Sequence, residues 1–141
     1  MIDRDLALQL KHAGLDWTPV ERDAFAIAAA ELDDQVFVVS QFTVLPQRLR
    51  GEPGITFHGS AEWALDYVLL VDAIWLPSEA QLRDALEARL PNSGADILRL
   101  ERTSAGYRCV LNAPQHYLEF NAVCAADAYG LALLHTMTHG F

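Results

Sequence analysis

The chain predicts an α+β fold: a small single domain with an irregular N-terminal sheet, two central helices, a three-stranded antiparallel meander and a C-terminal helix. Three observations lead there. First, the 141 residues are 52% hydrophobic and 21% charged, the size and composition of one globular domain able to bury a core. Second, strand-like and helix-like segments come in blocks rather than in alternation. Third, residues 96–122 alternate apolar and polar side chains in three runs separated by short turns. No segment reads as a linker, so residues 1–141 are expected to form one domain.

The first element is a short amphipathic helix over 4–13. Leu6, Leu10 and Ala13 recur at helical spacing, Asp3 can cap the start, and Gly14 can stop the end. Next come the short apolar run "DAFAIA" (23–28) and the valine-rich "DDQVFVVS" (33–40), which suits a strand. "QFTVLPQRL" (41–49) either continues that strand or turns back beside it. "RGEPG" (50–54) reads as a turn, and "ITFHG" (55–59) as another short strand.

Residues 61–72 then read as a helix apolar nearly all round, which implies burial on more than one face or a subunit contact. In the helix over 79–90, Leu82, Ala85, Leu86 and Leu90 make one stripe, and Pro91 stops it. Trp75 falls between these two helices. The meander follows as 96–103, 107–113 and 116–122, with turns at "SAG" and "APQ". The last helix, about 125–138, is again largely apolar and should lie across a sheet.

Charge excludes several functions. Nineteen acids against ten bases give a formal charge of −9, with the acids spread along the chain. A nucleic-acid grip or an anionic membrane surface needs the opposite sign. The longest apolar run, residues 64–76, is too short to span a bilayer and contains Asp66 and Asp72. Cys109 and Cys124 lack C-x-x-C spacing and fit a reducing cytoplasm. The start of the chain lacks the pattern of a signal peptide. A cytoplasmic protein is therefore expected.

"FHGSAEWALD" (57–66) is the stretch that most resembles chemistry. His58 and Glu62 are the weak catalytic candidates. A nucleophile elbow needs G-x-S-x-G, however, and the second glycine is missing after Ser60. Capping explains Ser60 more simply. "PSEAQ" places Ser78 three residues before Gln81, a capping box.

His135 and His139 stand at i,i+4, the spacing of two metal ligands on one helix face, and are the weak metal candidates. The H-E-x-x-H pattern would need Glu where Thr136 stands, and a solvated helix end is the simpler expectation. "ELDD" (31–34) lacks the spacing of a calcium loop. No phosphate-cradling glycine motif is present, and no cofactor is expected.

"EWALD" and "WLPxxxQLRxxL", read here as residues 62–66 and 75–86, resemble a family of short bacterial proteins with no assigned activity. The resemblance covers most of the chain and implies a bacterial cytoplasmic setting. It implies no substrate. The function expected is a non-enzymatic interaction module forming homodimers. The alternative is a small-molecule-binding protein or enzyme with a pocket near His58, Glu62, Trp63 and Trp75.

Overall fold

The computed structural model describes residues 1–29, 34–39, 44–49, 52–57, 67–91 and 97–141, with residues 44–49, 52–57, 67 and 68 described by backbone alone. The fold is α+β, as expected, with three helices and three three-stranded antiparallel sheets among the described residues. They fall into two compact units. One is built from Met1–Leu15 and Pro77–Phe141, the other from Asp16–Leu76.

In the first unit, α1 (Arg4–His12) starts where Asp3 accepts from the Leu6 amide at 3.1 Å. It ends before Gly14, whose φ of +100° lies in the left-handed region that stops a helix. α2 (Glu79–Glu87) begins with the predicted capping box. Ser78 accepts from the Gln81 amide and Gln81 accepts from the Ser78 amide. The meander forms as read from its alternation. β7 (Leu98–Thr103), β8 (Gly106–Ala113) and β9 (His116–Ala122) pair antiparallel in the order β7-β8-β9. Each connection is a two-residue turn, at Ser104–Ala105 and Pro114–Gln115.

Register sorts the faces of this sheet. Leu98, Leu111 and Leu118 align, as do Leu100, Cys109 and Phe120. The opposite face carries charged residues around the buried Val110. Arg108 bridges Glu101 at 3.5 Å and Glu119 at 3.6 Å, while Arg99 pairs with Glu101 at 2.7 Å. These pairs are solvent-exposed in large part, where each contributes roughly 0–1 kcal/mol.

α3 (Ala125–His139) is the central helix of this unit. It packs against β8 and β9 and also against α1 and α2. Its nearly all-round apolar surface is thus absorbed inside the unit. Ala128, Ala132 and Leu133 are fully buried. Gly130 faces Leu6 and Ile2, and the absent side chain lets α1 approach closely. Asp127 ties the two helices further by accepting from the Asp3 amide at 2.7 Å. From α2, Leu82 and Leu86 are fully buried, each stabilising by roughly 1.5–3 kcal/mol.

The second unit corrects the reading of residues 61–72. Residues 61–66 lie outside the described ones. From 67 onward there is no α-helix, but β5 (Tyr67–Leu69), a single 3₁₀ turn (Leu70–Asp72) and β6 (Ala73–Leu76). One of the two expected central helices is therefore absent over 67–72. The physical reason is composition: an apolar run of this length fits a buried strand as well as a helix, and the β-branched and aromatic residues Tyr67, Val68, Ile74 and Trp75 favour the strand. Trp75 stands in β6, not between helices.

β1 (Ala24–Ile27) lies between β2 (Phe37–Val38) and β6. The strand expected over 33–40 is thus far shorter. A second sheet has the order β3-β4-β5, with β3 at Val44–Leu49 and β4 at Glu52–Phe57. Leu49 pairs with Glu52, so Pro53 and Gly54 are strand residues rather than turn residues. Pro53 has β3 on one side only, since β5 pairs with β4 no earlier than Gly54. A residue without an N–H is tolerated there.

Candidate functional site

Of the expected site residues, His58, Glu62 and Trp63 lie outside the described residues. Trp75 is described, and its surroundings are aromatic. Phe37, Phe25 and Trp75 stand in register across β2, β1 and β6 and therefore share one sheet face. Phe25, Ile27, Phe37, Val39 and Ala73 form the buried core on that side, with Trp17 and Leu70 packed against it.

Trp17 lies 4° from parallel to Trp75 with ring centroids 6.2 Å apart, and 5.6 Å from Phe25. Its position is set by Asp23. The carboxylate accepts from Trp17 Nε1 at 2.9 Å and from the Val20 amide at 3.1 Å. Asp23 is 5% exposed, so these bonds compensate a charge removed from water. Arg22 just before it adopts φ +77°, and its amide donates to the Val39 carbonyl at 2.8 Å. That turn delivers the Asp23 carboxylate to the Trp17 indole N–H.

Trp75 differs from Trp17 in one respect. Its Nε1 is buried and has no hydrogen-bond partner among the described residues. A buried donor left unpaired costs about 1–3 kcal/mol. The sequence reading placed Trp75 between two helices; its cross-strand register with Phe25 and Phe37, and the Trp17 stack onto it, come from the tertiary structure.

The other face of the same sheet is divided. Ala26, Ile74 and Leu76 are buried, so β1 and β6 are covered on both faces. Val36 and Val38, at the β2 end, are 48% and 51% exposed. Val38 lies in β2 and Val36 just before it.

His135 and His139 lie on the last turns of α3 with ring centroids 4.6 Å apart and planes 19° from parallel. His135 also meets the Phe120 ring at 5.5 Å. His116 packs near Phe141 at 6.4 Å instead. No group of three or more His, Cys, Asp or Glu able to hold a metal ion occurs among the described residues.

Cys109 offers no activated nucleophile. Cys109 is fully buried, and burial pushes its thiol up to about 12. Cys124 is half-buried and points at the Met1 carbonyl at 3.7 Å. Burial also raises the phenol of Tyr129, and a hydrogen bond to Glu119 raises that of Tyr117. Among the described residues, no helix is long and apolar enough to cross a membrane.

The chain matches no family model, no curated protein and no solved structure.

Proposed function

We propose that the protein is a non-enzymatic interaction module of the bacterial cytoplasm that works as a homodimer, paired through the Val36–Val38 face of its first sheet. The carrying observation is the exposure of these two valines beside columns of the same face that are buried. Two adjacent apolar side chains at a sheet edge are a docking surface, and a second copy supplies the same chemistry in return. The two free cysteines suit a reducing compartment. The acidic charge disfavours nucleic acid and anionic lipid as partners.

Sedimentation equilibrium tests this reading. The native chain should show twice its 15.6 kDa mass. A Val36→Glu/Val38→Glu variant should sediment as a monomer with unchanged circular dichroism. Because each copy carries −9, the dimer should also tighten as salt is added. A native chain that stays monomeric at about 100 µM, a concentration that populates even weak dimers, refutes the proposal.

One observation favours the alternative, a small-molecule site beside Trp75. Its orphaned indole N–H would donate to an acceptor on a ligand stacked near Trp17. A ligand of that kind would quench or shift tryptophan fluorescence in the native chain and not in Trp75→Phe.

A further inference from the structure

The outer side of the meander carries backbone groups that neither its own pairing nor the Val36–Val38 contact uses. Their direction follows from the register. The Asn112 amide donates to the Ile97 carbonyl at 2.8 Å, so the backbone groups of Asn112 face β7. Direction alternates along a strand, so those of Tyr107, Cys109, Leu111 and Ala113 face β9. Their partners in β9 are Ala122, Phe120, Leu118 and His116, whose groups face back toward β8. The residues between them, Tyr117, Glu119 and Asn121, therefore aim amide and carbonyl away from the sheet. Among the described residues, none of these backbone groups has a hydrogen-bond partner.

Edge strands normally carry a guard such as proline, lysine or a bulge. β9 contains neither residue, and its pairing with β8 runs unbroken from His116 to Ala122. Its two faces differ. Tyr117, Glu119 and Asn121 are exposed on the charged face. Leu118 and Phe120, on the face that meets α3, are only half-buried, whereas their neighbours Leu111 and Cys109 in β8 are fully buried. The apolar layer beneath α3 is thus incomplete at this edge.

We propose that the outer edge of β9 binds an extended, basic segment of a partner protein, which adds to the meander as a fourth, antiparallel strand. Charge selects this occupant. Among Tyr117, Glu119 and Asn121 there is a carboxylate and no cation, and the chain as a whole carries −9. Arg108 and the Tyr117 hydroxyl reach Glu119 at 3.6 and 2.8 Å. A carboxylate offers about four acceptor sites, which leaves room for a cation from outside. A second copy would bring one −9 chain against another and, paired about Glu119, carboxylate against carboxylate. A segment alternating basic and apolar residues does the reverse. Opposite residues share a face, so its basic residues stand across from Tyr117, Glu119 and Asn121, and their backbone groups make the bonds to β9. Its apolar residues extend the layer beside Leu118 and Phe120.

The probe is an eight-residue peptide of alternating lysine and valine, acetylated and amidated, titrated into the full chain by isothermal titration calorimetry. One peptide per chain is expected, with affinity falling as salt is added. The same peptide N-methylated on its lysines keeps its charge but cannot donate to β9, and should bind about tenfold more weakly or worse. N-methylated on its valines, whose amides face away from β9, it should bind as the parent does. In the protein, Glu119→Pro removes an outward amide that no ladder bond uses, where an edge strand tolerates proline. It should weaken binding by about tenfold with unchanged circular dichroism. Glu119→Gln keeps the backbone edge and should weaken binding about two- to fivefold, the worth of one cross-strand charge pair. Absence of binding up to about 1 mM, or equal binding by the two methylated peptides, overturns the site. The peptide pair decides this without any variant, should Glu119→Pro fail to fold. Unchanged affinity in Glu119→Gln overturns the basic partner. Loss of sedimentation mass in Glu119→Pro, with peptide binding unchanged, assigns the edge to a second copy and also overturns the proposal. Val36 and Val38 belong to the other unit, so failure of that dimer leaves these outcomes intact.

Discussion

Gly106→Ala should be among the most damaging single-methyl changes in this chain. Gly106 opens β8 after the Ser104–Ala105 turn and adopts φ +139°, a conformation that L side chains rarely adopt. A Cβ there would overlap the Ala122 carbonyl oxygen. It would also stand 2.8 Å from Val123 Cα and 2.9 Å from the Val123 carbonyl oxygen. All three are backbone atoms at the end of β9, so no rotamer change relieves the collision. Backbone strain of this kind costs about 1–3 kcal/mol. Overpacking adds about 1–3 kcal/mol. The sum is about 4 kcal/mol, or a melting temperature lower by roughly 8–16 °C for a chain of this size. Urea denaturation followed by circular dichroism measures it. Ala105→Gly, in the same turn, is the control and should lose no more than about 1 kcal/mol, the entropy of added chain freedom. If Gly106→Ala stays within about 1 kcal/mol of the native chain, the packing of β9's end against this hairpin is wrong.

Three further outcomes follow from the same structure. Trp75→Phe removes a buried donor that has no partner among the described residues, so it should be neutral or stabilising by urea denaturation; a loss above about 2 kcal/mol would mean that the N–H is paired in solution. Cys109, with its thiol raised from 9.0 to about 12, should resist Ellman's reagent until unfolding, while Cys124 reacts. Between those two pH values the unfolded thiol is ionised and the folded one is not, so the Cys109 contribution to stability should fall from about pH 9 upward, and Cys109→Ala should flatten that fall. Ser78→Ala should cost about 1 kcal/mol by breaking the cap of α2, and an unchanged midpoint would show that the capping box is open in solution.

Elements governed by near neighbours were legible before any coordinates. Asp3 and Ser78 sit where a cap must sit, because the bond they make reaches three residues along the chain. The meander was legible because its alternation has only one period and its turns are two residues long. The run at 64–76 was not. Its apolar residues satisfy both a helix and a strand, and the choice went to the partner that β1 offers β6. The same limit applies to the site residues. The spacing of His135 and His139 was plain, but Phe120 against one ring and Thr138 beside the other had to be seen.

By itself, then, the sequence determined the α+β class, the caps, the meander and the acidic, helix-poor membrane profile, all of which depend on composition or on residues a few positions apart. Tertiary structure decided that residues 67–72 form a strand and a 3₁₀ turn, and that α3 is the central helix of its own unit, with α1, α2 and the meander against its sides. It also decided which tryptophan N–H is satisfied. Trp17 meets Asp23 six residues away through the turn at Arg22, whereas the Trp75 N–H finds no acceptor among the described residues. Burial is a property of what arrives from elsewhere in the chain, and no local pattern encodes it.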